Sequence, residues 1–221
     1  MKLNRYFDHT LLKPDATKAQ IETLCSQAKA YDFYSVCVNS AYVSLAASLL
    51  SESDVKVAAV VGFPLGSCTT NCKAFETEEA CRAGAKEIDM VLNVGMLKSG
   101  NTDYVREDIA AVASAAAASD AKVKVILETC LLTDEEIVLA CKLAQQAGAA
   151  FVKTSTGFSS GGATVHHVQL MKQTVGDTLK IKASGGIRTY ADVKKMLAAG
   201  ADRIGASASV SIMEEAAQEN Q

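Results

Sequence analysis

The feature that most limits what this chain can fold into is a regular alternation. Short apolar runs recur about every 28 residues, close to the roughly 30 of a strand-plus-helix unit, with helix-patterned stretches between them. The runs lie at 6–10, 34–38, 56–61, 86–92, 122–128, 150–153, 179–183 and 202–206. Between them the punctuation is helical. Thr133 with Glu136 forms a capping-box pattern, Ile137, Val138, Cys141 and Ala144 follow at helical spacing, and Gly148 stands where a helix would stop. Thr17 with Gln20 opens a similar stretch carrying Ile21, Leu24, Cys25 and Ala28. The stretch from Tyr190 to Ala199 ends at Gly200.

No linker rich in Pro, Gly or Ser divides the chain, so residues 1–221 read as one α/β domain. Eight strands alternating with helices predict a closed parallel (β/α)8 barrel, the TIM-barrel architecture. An open, doubly wound sheet of seven units is the rival if the run at 6–10 is not a strand.

Composition removes several function classes. With 22 basic and 25 acidic residues the net charge is −3, a poor fit to nucleic acid. No apolar run approaches the roughly 20 residues that cross a bilayer, and residues 1–10 carry Asp8 and lack a signal-peptide apolar segment. Seven scattered cysteines match no compact disulfide scaffold. The expectation is an enzyme-sized cytoplasmic domain with reduced thiols, no membrane contact and a frayed polar tail at 218–221.

Strand parity places side chains. In the run at 86–92, Ile88, Met90 and Leu92 share one face and Asp89 the other. Val36 and Val38 likewise leave Cys37 opposite, Val125 and Leu127 leave Lys124 and Glu128, and Ile181 leaves Lys182. With the apolar faces under the helices, Cys37, Asp89, Glu128 and Lys182 point into the barrel near the C-terminal ends of their strands, where barrel enzymes place their chemistry. Lys153 joins them by position.

Lys153 and Lys182 end consecutive runs. Neighbouring strands lie about 4.8 Å apart, and two ammonium groups that close repel, so one loses its proton far below the usual lysine range. A neutral, sheltered amine is a nucleophile suited to a Schiff base with a carbonyl. The alternative is that the two lysines diverge and each pairs with a carboxylate. Asp89 reads as a proton relay between them or as an ion-pair partner that only orients one. Asp8 pairs with a lysine or caps the turn before Pro14. Cys37 is a reactive thiol at the mouth or a small buried apolar group.

The loops Ser184-Gly185-Gly186 and Gly205-Ala206-Ser207 follow the seventh and eighth runs, where barrels often hold phosphate on backbone N–H groups. Gly62-Phe63-Pro64-Leu65-Gly66 reads as a rigid loop. Metal is not expected: Cys68 and Cys72 have no second pair to complete a site, and His166 and His167 are neighbours on a helix.

Six segments taken in chain order resemble the deoxyribose-phosphate aldolase family. They are Asp8-His9-Thr10-Leu11-Leu12-Lys13-Pro14, Gly62-Phe63-Pro64-Leu65-Gly66, Glu87-Ile88-Asp89-Met90-Val91, Lys153-Thr154-Ser155-Thr156-Gly157, Lys182-Ala183-Ser184-Gly185-Gly186-Ile187-Arg188 and Arg203-Ile204-Gly205-Ala206-Ser207. The resemblance implies a class I aldolase that needs neither metal nor other cofactor. It implies reversible cleavage of 2-deoxy-D-ribose 5-phosphate to D-glyceraldehyde 3-phosphate and acetaldehyde. By motif, Lys153 is the Schiff-base lysine, Lys182 the neighbour that lowers its pKa, and Asp89 the proton donor and acceptor working through water. Asp8 would hold Lys182, Thr156 would position a substrate hydroxyl, and Gly157, Gly185, Gly186, Gly205 and Ser207 would surround the phosphate. Partners are then small phosphosugars and aldehydes, and a homodimer is common among similar proteins. Two positions depart from some relatives: Ala208 replaces a second serine and Phe158 replaces a lysine. Against this stand a lysine-dependent aldolase for another phosphosugar and a phosphosugar-binding domain without turnover.

Overall fold

A computed structural model describes residues 2–219. Eight strands, β1 (Phe7–Leu11), β2 (Ser35–Val38), β3 (Lys56–Val61), β4 (Glu87–Val91), β5 (Lys122–Ile126), β6 (Phe151–Lys153), β7 (Lys180–Ser184) and β8 (Arg203–Ala206), pair in sequence order as a closed parallel barrel. The first run settles the choice of architecture: β1 pairs with β2 on one side, Asp8 opposite Ser35, and with β8 on the other, Asp8 opposite Gly205. Without it the sheet would stay open.

The helices are α1 (Lys18–Ala30), α2 (Val43–Leu49), α3 (Thr70–Arg82), α4 (Val94–Lys98), α5 (Thr102–Ala117), α6 (Asp134–Gln146), α7 (Val165–Val175), α8 (Tyr190–Ala198) and α9 (Ser209–Glu219). α1 and α6 begin with the capping boxes expected at Thr17–Gln20 and Thr133–Glu136, and Thr189 with Asp192 adds a third before α8. Gly148 and Gly200 follow the ends of α6 and α8 with positive φ, the left-handed turn that stops a helix. The polar tail expected to fray is helical at Gln218 and Glu219; residues 220 and 221 lie outside the described residues.

The apolar faces of the strands pack under the helices as parity requires. Ile88, Met90, Leu92, Val125, Leu127 and Ile181 are fully buried in the main core with Ile109, Val112, Ile137 and Val168 from α5, α6 and α7. Each such side chain contributes about 1.5–3 kcal/mol by leaving water. A second, smaller cluster of Leu12, Cys37, Ala58 and Val60, with Phe63 against it, belongs to the barrel interior.

Outside the barrel, a buried ion pair braces the strand that carries Asp89. Lys73 Nζ on α3 meets Asp108 Oδ2 on α5 at 2.5 Å and donates to the Val91 carbonyl at 3.0 Å, while Thr70 donates to the other Asp108 oxygen at 2.9 Å. α3, α5 and the end of β4 are thus tied at one point.

Several strands are shorter than their runs, and β5 loses the last two residues of its run. β5 stops at Ile126, and Glu128 takes a left-handed backbone with φ 57°, a conformation that costs a side-chain-bearing residue roughly 1–2 kcal/mol. Its carboxylate accepts from the Thr156 hydroxyl and, at 3.2 Å, from the Thr156 N–H, which stitches this turn to the loop after β6.

Candidate active site

Asp89, the middle residue of β4, sits fully buried with three lysine amines around it. Lys153 Nζ donates to its Oδ2 at 2.8 Å and Lys182 Nζ to the same oxygen at 2.7 Å, while Lys124 Nζ donates to Oδ1 at 2.7 Å. The ladder produces this convergence: Lys153 and Lys182 are register partners across β6 and β7, and Asp89 and Lys124 across β4 and β5. Like parity sends all four side chains inward.

A lower layer of charge supports the first. Lys182 also meets Asp8 Oδ2 at 2.5 Å, Lys124 meets Glu87 Oε2 at 2.6 Å, and Arg203 donates from Nη1 to Asp8 Oδ1 at 2.7 Å and to Glu87 Oε2 at 3.2 Å. The Arg203 guanidinium lies 3.4 Å from the centre of the Tyr34 ring. Asp8 is therefore an ion-pair partner, and the turn-capping alternative falls away.

The electrostatic consequences follow from the partners. Burial alone would raise the Asp89 pKa, but Lys124, Lys153 and Lys182 together hold it well below the usual carboxylate range. Burial alone would lower Lys182, but Asp8 and Asp89 raise it above the usual lysine range, and Asp89 and Glu87 do the same for Lys124. Lys153 goes the other way. Burial lowers it and the Lys182 charge adds to that, and the attraction of Asp89 does not compensate. Lys153 is the easiest of the three to deprotonate. It is also the one that reaches open space.

That space is a cavity of about 300 Å³ at the C-terminal end of the barrel. Lys153 lines it with Thr156, Gly157, Gly185, Gly186, Gly205 and Ser207, together with Lys13, Phe158, Ser184 and Arg188. Gly157, Gly185 and Gly186 have φ of 86°, 85° and 78°, the left-handed region that glycine enters without strain. Gly205 is needed for space instead: a Cβ there would lie 2.9 Å from Lys182 Cε and 3.0 Å from Ser184 Cβ. Ser207 leads into the N-terminus of α9, whose free N–H groups favour an anion.

Thr156 faces the cavity, but its hydroxyl donates to Glu128 and accepts from the Phe158 N–H at 3.0 Å. Cys37 is fully buried beneath the cavity, its thiol 3.9 Å from Asp89 Oδ2, and burial pushes it up to about 11. It is a packed interior group and not an exposed nucleophile. Parity alone had left Lys124, Glu87 and Arg203 without a role. All three stand on inward positions, but their partners lie on other strands, so only the closed register shows the cluster.

Comparison with known proteins gives the family. A family model described as DeoC/LacD family aldolase matches residues 3–216. A deoxyribose-phosphate aldolase from Streptococcus gordonii is 62% identical over 213 residues, covering 96% of each chain, and one from Thermoanaerobacter pseudethanolicus is 58% identical over 97% of each. Among solved structures, a putative deoxyribose-phosphate aldolase from Coccidioides immitis superposes with a TM-score of 0.94 at 45% identity, covering 97% of this chain and 85% of that one. The deoxyribose phosphate aldolase from Aeropyrum pernix, described as having a unique tetrameric structure, gives 0.92 at 32% identity over 98% and 92%.

Proposed function

The chain belongs to the DeoC/LacD family of aldolases, and from that premise we propose that it reversibly cleaves 2-deoxy-D-ribose 5-phosphate to D-glyceraldehyde 3-phosphate and acetaldehyde, with Lys153 as the Schiff-base residue. One observation carries the residue assignment. Of three buried amines on one carboxylate, only Lys153 lines the cavity, and it is the one whose pKa is lowered.

The neutral Lys153 amine attacks the aldehyde carbon of the open-chain sugar. The carbinolamine loses water and gives a protonated imine, which is the electron sink for the reaction. A proton leaves the C3 hydroxyl, the C2–C3 bond breaks, and its electron pair moves into the imine to give an enamine while glyceraldehyde 3-phosphate departs. Protonation of the enamine at C2 and hydrolysis of the imine then release acetaldehyde and restore the amine. Asp89, held ionised by its lysines, takes and returns protons through water, and cationic Lys182 is the adjoining proton source. Lys182 is fixed by Asp8, and its charge keeps Lys153 discharged.

Backbone groups at Gly157, Gly185, Gly186 and Ser207 hold the phosphate, Gly205 lines the same cavity, and Lys13 and Arg188 add positive charge at the rim. Thr156 offers an oxygen lone pair to a substrate hydroxyl, its own hydrogen being committed to Glu128. Ala208 follows Ser207, so the last loop holds the anion with one side-chain hydroxyl. The same reading places the enzyme in the cytoplasm, whose reducing conditions suit seven free thiols, and as a homodimer, whereas the relative from Aeropyrum pernix is described as tetrameric. Among the described residues no helix is long and apolar enough to cross a membrane.

The test is incubation with deoxyribose 5-phosphate or acetaldehyde and a borohydride, followed by peptide mass analysis. A reduced adduct on Lys153, absent from Lys153→Ala, is the expected result. Adduct at another lysine, or substrate binding with no adduct, overturns the assignment.

A further inference from the structure

The barrel interior holds an unequal number of charges. Four bases, Lys124, Lys153, Lys182 and Arg203, share three carboxylates, Asp8, Glu87 and Asp89, and all seven are buried. An uncompensated charge in such a place is costly, and the least-held base gives up its proton. The contacts identify it. Lys182 has Asp8 and Asp89, Lys124 has Glu87, Asp89 and, at 3.8 Å, Asp8, Arg203 has Asp8 and Glu87, and Lys153 has only an Asp89 oxygen that it shares with Lys182.

We propose that Arg203 and Glu87, one layer beneath the amines, are positioning residues that set the charge of Lys153 by fixing how the three carboxylates are divided among the lysines. Neither lines the cavity. Arg203 takes one oxygen of Asp8 and part of Glu87, which loosens the hold of those carboxylates on Lys182 and Lys124 and makes both lean on Asp89. That leaves Lys153 under-compensated. Without the guanidinium, three lysines would face three carboxylates, and Lys153 would keep its proton. Without the Glu87 charge, Lys124 would lean harder on Asp89, and Lys153 would lose its proton more readily.

The other groups around Lys153 leave this division in place. β2 contributes the Cys37 thiol, pushed up to about 11 and therefore neutral. β3 contributes Ala58 and Val60, which do not titrate. Glu128 beyond β5 is engaged by Thr156, and Lys13 and Arg188 stand at the solvent side of the cavity. Tyr34 and Phe151 wall the Arg203 side, with ring centres 3.4 and 5.4 Å from the guanidinium carbon.

The inference rests on Lys153 being the imine-forming residue. Its test measures acetaldehyde adduct formation at Lys153 under cyanoborohydride between pH 5 and 9, by peptide mass, in the full-length protein. Arg203→Met is expected to move the midpoint of the alkaline rise upward by about one pH unit or more, the size produced by a neighbouring charge. Glu87→Gln moves it downward. The double variant restores a surplus of one base and returns the midpoint to within about half a unit of the parent, and Arg203→Lys keeps the parent profile. Single variants that leave the midpoint fixed, or that both move it the same way, overturn the inference, since general damage has no reason to act with opposite signs. If Arg203→Met does not fold, Glu87→Gln and the double variant decide: the double variant must lie above Glu87→Gln and near the parent. An absence of Lys153 adduct in the parent overturns the functional reading instead.

Discussion

Replacing Lys182 by leucine is the most direct probe of the site. Lys153 and Lys182 donate to one oxygen of Asp89 at 2.8 and 2.7 Å, so their nitrogens are at most about 5.5 Å apart. At the effective dielectric of about 20 that suits protein interiors, two unit charges at that separation repel by about 3 kcal/mol. At 1.36 kcal/mol per unit, removing Lys182 raises the Lys153 pKa by about 2 units. The loss of a competitor for Asp89 acts in the same direction. Asp8 keeps Arg203 as a partner, so the substitution leaves no lone buried carboxylate. The assay is the pH dependence of acetaldehyde trapping on Lys153, which needs the neutral amine and does not depend on sugar cleavage. The midpoint should rise by about 2 pH units in Lys182→Leu. If the interior screened like bulk water, the same pair would interact by less than about 1 kcal/mol and the midpoint would move by about half a unit. An unchanged midpoint would refute the coupling between the two amines.

Three further outcomes are expected. Gly205→Ala drives a methyl group against Lys182 and Ser184; turnover should fall at least about 10-fold with the far-ultraviolet spectrum unchanged, because small misplacements of reacting groups are costly, and full activity would show that Lys182 has room to move. Asp108→Ala leaves Lys73 in the core without its carboxylate, with the Val91 carbonyl as its remaining partner; the loss should be about 3–5 kcal/mol, a melting temperature lower by on the order of 10 °C, and a drop under about 3 °C would mean that the brace is unimportant. Asp8 and Asp89 have folded-state pKa values below their unfolded ones, so the unfolded chain binds more protons in acid. Their stabilisation is fully present above about pH 4 and is lost as the pH falls below that value toward the folded pKa values. Denaturant unfolding between pH 2 and 6 should show a shallower acid limb in Asp8→Asn than in the parent, and identical slopes would contradict the assignment.

Much of this was legible from residue order because the relevant physics is periodic. Period-two alternation in β4 put Asp89 opposite Ile88, Met90 and Leu92, and the structure keeps both faces as read. β6 has only three residues, too few for alternation to declare a face, so the direction of Lys153 came from its register with Lys182. The run at 6–10 was doubtful alone because its stability comes from neighbours on both sides, β2 and β8, which no local window contains. Lys124, Glu87 and Arg203 escaped for the same reason. Glu87 and Arg203 look like ordinary charges at strand starts, and Lys122, on the same face of β5 as Lys124, is exposed. Glu128 was misplaced by two residues of strand because a left-handed turn at a non-glycine residue has no compositional signal.

The register of Lys153 opposite Lys182 has a consequence for how such an enzyme can change. The reactive amine and its neighbours are spaced by backbone hydrogen bonds of the barrel wall. The cavity's substrate-facing side comes largely from loops, including Gly157, Phe158, Gly185, Arg188 and Ser207. Reactivity and recognition are therefore inherited from different parts of the chain. Substitutions at Phe158 can alter which aldehydes are accepted while the proton affinity of the nucleophile stays where the wall has put it.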